Sequence, residues 1–434
     1  MYHFIGIKGS GMASLAVIMK CLGYDVKGSD VSEHFFTEDG LIKYNIPFNE
    51  YNKDNIKEGM IIVKGLSIKD DHQEVVEAKR LGLEMYDYNE MVGVLTKKYK
   101  TVCVSGCHGK TTTTAMLSHV LNGIKGANYL IGDGTGYASI NNELFILESC
   151  EYKRHFLAYT PYYTVILNID LDHVDYFKDI NDVILAYQEL AEKSMGPIVA
   201  FGDDDNVRKM HLDKEIIYFG LKENNKIKAT NIEYKKDGSS FDVIIDSKLY
   251  GHFDLPLYGM HQVIDALATI SICYLEGINY EEVNKYLTTF TGAKRRFTET
   301  IINDDVVIDD YAHHPNEIKA TINAIKQKYP DKLVVGIFQP HTFTRTKEFY
   351  KDYINIFKEL DHIYIMDIHP SREKQEDYPE ITKDIMIKEL SNADSIEIDE
   401  YRKLINYHNV VYIFMSPNDI SKLENDLINY KSAK

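Results

Sequence analysis

The sequence predicts an α/β protein of three successive domains built on mainly parallel sheets. Short apolar runs suited to buried strands alternate with amphipathic helical patterns along most of the chain. Two of these runs end in glycine-rich loops that lead directly into helices. The length of 434 residues exceeds that of one ordinary domain and is typical of two or three.

The composition narrows the range of partners. Hydrophobic residues make up 44% and charged residues 26% of the chain, as in soluble globular proteins. The net charge of −17 argues against a nucleic-acid or anionic-membrane partner. The five cysteines include no Cys-x-x-Cys pair, and neither a signal sequence nor a membrane span is predicted. We therefore expect a cytoplasmic protein without membrane insertion, either a monomer or a weak homodimer.

A glycine loop lies at the start of the chain. The apolar run His3-Phe4-Ile5 predicts a strand, Gly6-Ile7-Lys8-Gly9-Ser10-Gly11 predicts a turn, and a helical pattern begins at Met12. The next strand ends at Asp30. Nicotinamide-binding loops have the order Gly-x-Gly-x-x-Gly, whereas this loop has Gly-x-x-Gly-x-Gly, so a diphosphate site is favoured over a redox cofactor. The alternative is that these glycines only pack the helix against the strand. The alternating pattern predicts a Rossmann-like first domain over residues 1–98.

A second glycine loop, Gly106-Cys107-His108-Gly109-Lys110-Thr111, organises the middle of the chain. It follows the largely β-branched run Thr101-Val102-Cys103-Val104 and leads into a helix. Glycines let backbone N–H groups approach an anion, the helix N-terminus attracts it, Lys110 adds a charge, and the Thr111 hydroxyl can ligate a phosphate-bound Mg2+. The loop is the short form Gly-x-x-Gly-Lys-Thr, because Val104 stands where the full Walker A motif has its first glycine. We expect ATP as the ligand; the alternative is an ordinary turn with a solvated lysine.

Acidic residues and a histidine follow two further strands of the second domain. The apolar run 144–147 is followed by Glu148, and the run 164–169 is followed by Asp170-Leu171-Asp172-His173. Ligands gather at the carboxyl ends of strands in an open α/β sheet, and Mg2+ prefers oxygen ligands. Glu148 with Thr111 could therefore hold one metal ion, and His173 a second. The alternative for the second group is a capping cluster before a helix.

The rest of the second domain, which extends from residue 99 to 297 and is of the P-loop type, has distinct parts. From 225 to 257 the pattern changes to alternation with a hairpin signal at Asp237-Gly238, which predicts a small antiparallel excursion. Residues 262–275 are apolar on nearly all sides and predict a buried helix. Residues 291–297 form a basic segment, which by itself is either a hinge or a solvated linker.

A third domain, over residues 298–434, also has a Rossmann-like pattern. A strand at 306–308 leads into Asp309-Asp310-Tyr311-Ala312-His313-His314-Pro315, and this proline can begin a helix. A strand at 333–338 leads into Gln339-Pro340-His341-Thr342-Phe343-Thr344-Arg345-Thr346, and a single helical pattern follows. Both loops carry His or Arg side chains, the cationic groups that a carboxylate substrate requires.

Together these motifs resemble those of the Mur ligase family over essentially the whole chain. The whole set of motifs is far more specific for this family than any single motif. The two third-domain loops are most similar to those of Mur ligases that add L-alanine, because tripeptide-salvaging members would share the first loop but not the second. The matching segments are 6–12, 106–114, 148–157, 168–176, 295–297, 309–315 and 338–346.

The resemblance implies one reaction and a role for each domain. The first domain would bind UDP-N-acetylmuramate, the second ATP, and the third L-alanine, while closing over the other two. ATP would phosphorylate the muramyl carboxylate, and the amine of L-alanine would attack the acyl phosphate through a tetrahedral intermediate. We expect this ATP- and Mg2+-dependent ligase to act in peptidoglycan precursor synthesis, and hence in cell-wall biogenesis, cell shape and cell division.

The resemblance also implies the residues of each site. The UDP-sugar site would comprise Gly9, Ser10, Gly11, Met12 and Asp30. The ATP site would comprise Gly106, Cys107, His108, Gly109, Lys110, Thr111, Thr112 and Asp265. The metal ligands would be Thr111, Glu148 and His173, and the amino-acid site would comprise Tyr311, His313 and Arg345. The catalytic residues would be Lys110, Glu148, His173 and Arg345.

Two segments depart from the family pattern. Asp265 stands where the family has an asparagine that faces adenine, and Gln262 replaces another frequent asparagine. An ionised Asp265 can only accept hydrogen bonds, which predicts weak base discrimination and a high KM for ATP. Ser416-Pro417-Asn418 replaces part of the family's Met-Gly-Ala-Gly-Asp-Ile motif. The departures leave open a catalytically impaired homologue that binds a cell-wall precursor or partner; a nucleotide-dependent oxidoreductase is disfavoured by the glycine order.

Overall fold

The chain forms three sheets in sequence order, each flanked by helices, in a computed structural model that describes residues 1–433. We call the parts that contain these sheets the N-terminal unit (residues 2–96), the central unit (100–287) and the C-terminal unit (298–432). The sheets are mostly parallel with small antiparallel parts, so the predicted fold class is confirmed. Within the described chain, no helix is both long and apolar enough to cross a membrane.

The N-terminal unit is a five-stranded parallel sheet with the strand order β3-β2-β1-β4-β5. Its strands are β1 (Tyr2–Ile5), β2 (Val26–Asp30), β3 (Phe48–Glu50), β4 (Ile61–Lys64) and β5 (Met85–Asp87). Its helices are α1 (Ser10–Cys21), α2 (Glu38–Lys43), α3 (Gln73–Arg80) and α4 (Tyr88–Thr96). Because β1 is central and parallel to β2, the start of α1 lies at the carboxyl edge of the sheet beside the end of β2.

The central unit is a ten-stranded sheet with the order β15-β14-β13-β12-β11-β10-β6-β9-β7-β8. Its strands are β6 (Lys100–Ser105), β7 (Asn128–Leu130), β8 (Gly136–Tyr137), β9 (Leu144–Glu148), β10 (Tyr163–Ile166), β11 (Ile198–Phe201), β12 (Ile216–Gly220), β13 (Ile227–Lys235), β14 (Gly238–Ile245) and β15 (Lys248–Leu255). Its helices are α5 (Lys110–Lys125), α6 (Ile180–Glu192), α7 (Asp205–Arg208), α8 (Met260–Leu275) and α9 (Tyr280–Leu287). Strand β6 lies between β9 and β10, so the segments after these three strands meet at one edge.

Most of the elements predicted for this unit are present. The antiparallel excursion is β13–β15, and its first turn is Lys236-Asp237, one residue before the predicted Asp237-Gly238, because Gly238 pairs with Lys235. Helix α8 is buried along nearly its whole length, as its uniform apolar pattern predicted. Strand β10 ends at Ile166, three residues before its predicted end. The chain leaves the sheet there because Asn168 turns towards the glycine loop, where its side chain accepts from the backbone N–H of His108 at 2.8 Å.

The C-terminal unit is a six-stranded sheet with the order β16-β17-β21-β18-β19-β20, in which only β16 is antiparallel. Its strands are β16 (Thr298–Ile302), β17 (Asp305–Asp310), β18 (Leu333–Phe338), β19 (His362–Ile365), β20 (Ala393–Ser395) and β21 (Val410–Met415). Its helices are α10 (Pro315–Lys328), α11 (Phe343–Glu348), α12 (Tyr350–Phe357), α13 (Lys383–Glu389) and α14 (Ser421–Ser432). Pro315 is the first residue of α10, as predicted, whereas the single helix expected after β18 is divided into α11 and α12 at Phe349.

The three units are joined in two different ways. One apolar cluster contains Met19 and Val92 of the N-terminal unit together with Phe145 and Phe156 of the central unit, so these two units share a core. The buried apolar clusters of the C-terminal unit come from residues 302–427 alone. Among the described residues, the C-terminal unit therefore meets the central unit mainly through the polar contacts described below.

Candidate functional site

The glycine loop after β6 has the backbone of a phosphate cradle. Gly109 has a φ of +80° and Gly106 a φ of +142°, conformations that side chains rarely adopt. A Cβ on Gly106 would also lie 2.9 Å from the Cβ of Leu167. No side chain caps the start of α5, and its first turn has no acidic residue. The free N–H groups and the positive end of the helix are therefore available to an anion.

Lys110, at the first turn of α5, folds back over this loop. Its Nζ donates to the carbonyl of Gly106 at 2.5 Å, to that of Cys107 at 3.0 Å and to Oε2 of Glu151 at 3.0 Å. Glu151 is only 1% exposed. Burial alone would lower the pKa of Lys110, but the Glu151 carboxylate outweighs it and raises the pKa, so the ammonium stays charged. No motif of the sequence indicates this role for Glu151, whose one signal is its position three residues after the end of β9.

Thr111 and Glu148 lie together, as expected for ligands of one metal ion. The Thr111 hydroxyl donates to Oε1 of Glu148 at 3.1 Å, and the backbone N–H of Gly132 donates to Oε2 at 2.8 Å. A hydroxyl and a carboxylate beside the phosphate cradle form the oxygen set that suits Mg2+ bound to phosphate. The residues present therefore fit this ion.

His173 lies beside Glu151 and Asp172. Its Nε2 is 3.8 Å from Oε1 of Glu151 and 4.0 Å from Oδ2 of Asp172. One ligand atom from each of these three residues lies within 4.8 Å of the others. The cluster could hold a second metal ion, with Glu151 and Asp172 as candidate ligands in addition to the predicted His173.

A cavity of about 250 Å³ opens beside the phosphate loop. Its walls come from the loop, the segment after β10, helix α8, the basic segment 291–297 and helix α10. Leu167, Phe201 and Ile264 make part of the wall apolar, and Thr112 lies at its edge. Such an apolar slot next to a phosphate cradle suits a nucleobase.

Asp265 and Gln262 supply polar groups to this cavity. Asp265 is 5% exposed and accepts from the Thr113 hydroxyl at 2.9 Å. Burial raises the pKa of Asp265 to about 7, although Thr113 donates to it and Arg296 lies nearby. Oε1 of Gln262 is buried without a hydrogen-bond partner, while its Nε2 lies 3.1 Å from Nε2 of His261. In the sequence Gln262 is only a departure from the family pattern, whereas in the structure its Oε1 is a buried acceptor of the cavity wall without a hydrogen-bond partner.

Two further residues of the loop contact other parts of the chain, and one of them, His108, also lines the cavity. The Cys107 thiol is buried and lies 3.1 Å from the carbonyl oxygen and 3.2 Å from the backbone nitrogen of Asp170. The His108 ring turns towards α10, where Nδ1 lies 3.1 Å from Oε1 of Glu317.

The first glycine loop stands at the start of α1. Gly9 is the residue before the helix, no side chain caps it, and the first turn has no acidic residue. Asp30 ties this loop to the end of β2, since it accepts from the backbone N–H of Lys8 at 2.7 Å and from the hydroxyl of Tyr51 at 3.1 Å. Of the other predicted residues, Ser10 and Gly11 open the helix, whereas the Met12 side chain is 95% buried in the core. The N–H groups of Gly6, Ile7, Lys8 and Gly9 are taken by acceptors of the protein, so the first turn of α1 is the part that can bind an anion through its backbone.

Arg345, predicted to hold an amino-acid carboxylate, is bound to a carboxylate of the protein. It is 6% exposed, and its Nη2 and Nε donate to Oδ1 of Asp172 at 2.7 and 3.2 Å. Its Nη1 lies 3.1 Å from Nδ1 of His341. Burial alone would raise the pKa of Asp172, but Arg345 and the nearby histidines hold it well below its usual range. Arg345 thus links the C-terminal and central units.

Tyr311 and His313 lie at the end of β17, near Arg345. The His313 ring is 6.1 Å from the His341 ring, and its Nδ1 is 3.0 Å from the carbonyl of Tyr311. Burial lowers the pKa of His313 to about 4, so the ring is neutral near pH 7. The structure therefore brings the three predicted amino-acid-site residues into one region.

The basic segment 291–297 is anchored to the C-terminal unit. Arg295 pairs with Asp309 at 3.1 Å and donates to the carbonyls of Ser416 and Asn418 at 2.9 and 3.0 Å. The guanidinium of Arg296 lies 4.7 Å from the centre of the Tyr311 ring. The divergent segment at 416–418 thus accepts hydrogen bonds from Arg295. The basic segment 291–297 is therefore not a solvated linker.

Three family models match successive parts of the chain, in the order of its three units. Residues 1–100 match the Mur ligase family catalytic domain, residues 104–273 the Mur ligase middle domain, and residues 295–413 the Mur ligase glutamate ligase domain. With the phosphate cradle and the acidic and histidine clusters at the junction of the units, this defines an ATP-dependent ligase. The chain belongs to the Mur ligase family, whose members use ATP, typically with Mg2+, in peptidoglycan precursor synthesis.

The chain is similar to several solved structures of this family. A UDP-N-acetylmuramate-alanine ligase from Thermotoga maritima is 25% identical, with 100% of this chain and 99% of that chain covered and a TM-score of 0.83. A murein peptide ligase from Psychrobacter arcticus 273-4 is 22% identical over 100% and 99% of the two chains, with a TM-score of 0.75, which shows the fold alone. A UDP-N-acetylmuramate:L-alanyl-gamma-D-glutamyl-meso-diaminopimelate ligase from Neisseria meningitides is 26% identical, covering 68% of this chain and 99% of that chain, with a TM-score of 0.60.

Proposed function

We propose that this protein joins L-alanine to the muramyl carboxylate of UDP-N-acetylmuramate, with ATP converted to ADP and phosphate. The observation that carries the proposal is the meeting of two sets of groups: the phosphate cradle with Lys110 and Glu151 in the central unit, and the cationic loops of the C-terminal unit at Arg345. Asp172 and His173 stand between the two sets. Similarity to the Thermotoga maritima alanine ligase over the whole chain supports the same substrates.

Each unit has a part in this reaction. Residues 1–98 would bind the UDP-sugar, with the backbone of the Gly9–Met12 turn at the diphosphate and Asp30 shaping the loop. Residues 99–297 would bind ATP. Residues 298–434 would bind L-alanine and close over the other two.

The chemistry requires activation of a carboxylate, because its leaving group would otherwise be an oxide. Phosphorylation of the muramyl carboxylate gives an acyl phosphate, which the amine of L-alanine attacks with release of phosphate. Lys110 would neutralise charge on the transferring phosphoryl group, a task of positioning and electrostatics. Thr111 and Glu148 would hold the Mg2+ of ATP, and His173, with Glu151 and Asp172 beside it, would hold a second ion. Bound Mg2+ would supply further charge neutralisation at the phosphates.

The adenine and amino-acid sites follow from the polar groups left free. In the cavity, Gln262 Oε1 can accept from the exocyclic amine of adenine, and the neutral form of Asp265 can donate as well as accept. In the C-terminal unit, Arg345 has one edge bound to Asp172, so we assign the Nη1 edge, beside His341, to the alanine carboxylate. Tyr311 and His313 would complete that site.

Phosphate release tests this proposal directly. The purified protein is incubated with ATP, Mg2+ and UDP-N-acetylmuramate, and L-alanine, glycine, L-serine or the tripeptide L-alanyl-γ-D-glutamyl-meso-diaminopimelate is added in turn. We expect release with L-alanine at the lowest KM, and an amide product by mass spectrometry. Release with the tripeptide alone would instead indicate a peptide-salvaging ligase. No release with any amine, despite binding of ATP and UDP-sugar by calorimetry, would indicate the catalytically impaired homologue.

A further inference from the structure

We propose that His108 is a positioning residue: its imidazole joins the phosphate loop to helix α10, so that docking of the C-terminal unit and binding of the nucleotide depend on each other. The inference rests on the proposed ATP-binding role of the loop. It gives His108 a contact between two units, in addition to its place in the wall of the proposed nucleotide cavity.

The His108 ring stands between carboxylates of two different units. Its Nδ1 lies 3.1 Å from Oε1 of Glu317 on α10, and its Nε2 lies 3.3 Å from Oδ2 of Asp170 after β10. Both ring nitrogens can donate at once only in the imidazolium form. Burial alone would lower the pKa of His108, but its bonds to Asp170 and Glu317 outweigh burial and raise the pKa to about 9. The ring therefore carries a charge near pH 7 and holds both carboxylates.

Two other titratable groups face this ring. The ring of His314, the residue before α10, lies 4.5 Å from it, and burial with the charge of His108 lowers the pKa of His314 to about 4. Asp172 acts on His108 from the central unit and favours its charged form. Since His314 is neutral and Asp172 is anionic, neither opposes the imidazolium near pH 7.

The backbone of His108 is fixed together with its ring. The side chain of Asn168 accepts from the His108 N–H at 2.8 Å and donates to the His108 carbonyl at 2.9 Å. His108 also lies between the two glycines of the cradle, Gly106 and Gly109. A displacement of Glu317 would therefore pull on the segment that presents its N–H groups to the phosphates.

Helix α10 is docked at both ends, and only one end touches the phosphate loop. At its start, besides Glu317, the Asn316 side chain donates to Oδ2 of Asp170 at 2.6 Å. Near its end, Gln327 accepts from the N–H of Gly259 at 2.8 Å and donates to the carbonyls of Lys235 and Gly238 at 3.1 and 2.9 Å. Since the apolar clusters of the C-terminal unit are its own, these polar bonds carry much of the docking. Gln327 is thus a matched control: it docks α10 without contacting the loop.

The chain contains no tryptophan, so one introduced tryptophan gives a signal free of background. Tyr258 suits this purpose, because its ring lies 4.5 Å from Nζ of Lys328 on α10 and 6.0 Å from the Phe297 ring. The parent protein for the test is Tyr258→Trp. A non-hydrolysable ATP analogue with Mg2+ is titrated at pH 7.5, with calorimetry as a second measure of affinity.

In this parent we expect His108→Gln and Glu317→Gln each to raise the Kd of the analogue about tenfold and to reduce the fluorescence change. The double variant should be no weaker than the weaker single variant, because the two side chains act through one contact. Gln327→Leu should reduce the fluorescence change, and its effect on Kd should add to that of His108→Gln. In the parent, affinity should fall as the pH rises through about 9, where the ring loses its charge; in His108→Gln it should not.

Additive effects of His108→Gln and Glu317→Gln, or an unchanged Kd in both, would overturn the coupling. Tyr258 lines the cavity, so the ATP assignment is tested on the wild-type chain: its failure to bind the analogue by calorimetry would overturn that assignment and the coupling together. A wrong choice of amino-acid substrate affects neither result, because no UDP-sugar or amino acid is present. If His108→Gln does not fold, the coupling is tested with Asp170→Asn in its place. The Kd of the analogue is then compared among Asp170→Asn, Glu317→Gln and the variant that carries both.

Discussion

Nη2 of Arg345 lies 2.7 Å from Oδ1 of Asp172, and the two residues belong to different units of the chain. Both side chains are buried, and Nε of the same guanidinium donates to the same oxygen. An arginine expected only at a substrate therefore also joins the C-terminal unit to the loop that carries His173. Its planar fork can serve both purposes, since one edge holds Asp172 while Nη1, which contacts Nδ1 of His341, has a second N–H for another acceptor.

Arg345→Lys keeps the charge and loses this fork. We expect the KM for L-alanine to rise about tenfold or more, the scale of a lost hydrogen bond between charged groups, with a much smaller change in the KM for ATP. Initial rates of phosphate release with each substrate varied in turn measure both constants. Lys347→Ala is the control, because this lysine lies on the same helix in an exposed ion pair with Glu380. A change confined to the KM for ATP would place Arg345 in another site.

Lys110→Ala should abolish most of the activity. Loss of a preorganised charge at the phosphoryl group costs about 3 kcal/mol, or roughly a hundredfold in kcat. The variant should also melt at a lower temperature, because Glu151 is left buried without its partner, a loss of about 3–5 kcal/mol.

The double variant Lys110→Ala with Glu151→Gln separates these two effects. Removal of the orphaned charge should restore much of the melting temperature, while kcat stays low. Recovery of kcat along with stability would mean that Lys110 acts only through folding. Near-normal turnover in Lys110→Ala itself would argue against the phosphate-loop assignment.

Asp265 should make the stability of the folded protein depend on pH. Burial raises its pKa from the model-peptide range to about 7, so the folded state favours the neutral form. The stability that depends on protonated Asp265 is fully present at a pH below the pKa of this side chain in the unfolded chain. It is lost as the pH rises towards 7, the pKa in the folded chain. Relative to Asp265→Asn, the wild-type chain should therefore lose stability between about pH 4 and 7 and then level off, by at most about 4 kcal/mol.

Urea unfolding of both proteins at several pH values measures this difference. Ser271→Ala on the same helix serves as a control, since its hydroxyl donates within α8, to the carbonyl of Leu267. A difference between wild type and Asp265→Asn that grows above pH 7 would contradict the assignment of this titration to Asp265.

The same substitution should affect ATP binding. Asp265→Asn supplies a permanent donor next to the cavity and should tighten binding of a non-hydrolysable ATP analogue by on the order of 1 kcal/mol above pH 7. The gain should shrink at pH 6, where the neutral carboxyl already donates. Equal affinities at pH 8 would show that Asp265 does not face the base. Alanine kinetics at saturating ATP should barely change.

Gln262→Leu removes the unpartnered acceptor at nearly constant volume. We expect the Kd of the ATP analogue to rise about fivefold, as for one lost hydrogen bond. Discrimination against GTP should weaken as well, because guanine has no amine at the position where adenine donates. Calorimetry with both nucleotides tests this, and unchanged selectivity would exclude Gln262 from base recognition.

The parts of the site that could be predicted are those whose residues lie close together in the sequence or follow neighbouring strands. The phosphate loop is one continuous strand, turn and helix, and its glycines and lysine fall at fixed positions. The Thr111–Glu148 contact could also be anticipated, because the strands before these residues are neighbours and both chains leave the sheet at the same edge.

The parts that were missed depend on the placement of whole units. Nothing near Arg345 in sequence indicates that Asp172 would occupy one side of its guanidinium, since 173 residues separate them. The Lys110–Glu151 pair was missed for a similar reason, because a choice between Glu148 and Glu151 requires the path of the chain after β9. The end of β10 was predicted too late because residues 167–169 are apolar enough for a strand, and only the contact of Asn168 with the glycine loop draws them away.

The hairpin turn between β13 and β14 limits how the chain can vary in length. Turns of this kind usually tolerate inserted residues, but here the carbonyls of Lys235 and Gly238 receive Gln327 of α10. Extra residues at this turn would change how closely α10 approaches, at a distance from every reacting group. The turn at Asp246-Ser247, at the opposite end of the same hairpin strand, is exposed and is the better place for a tag or a fused domain.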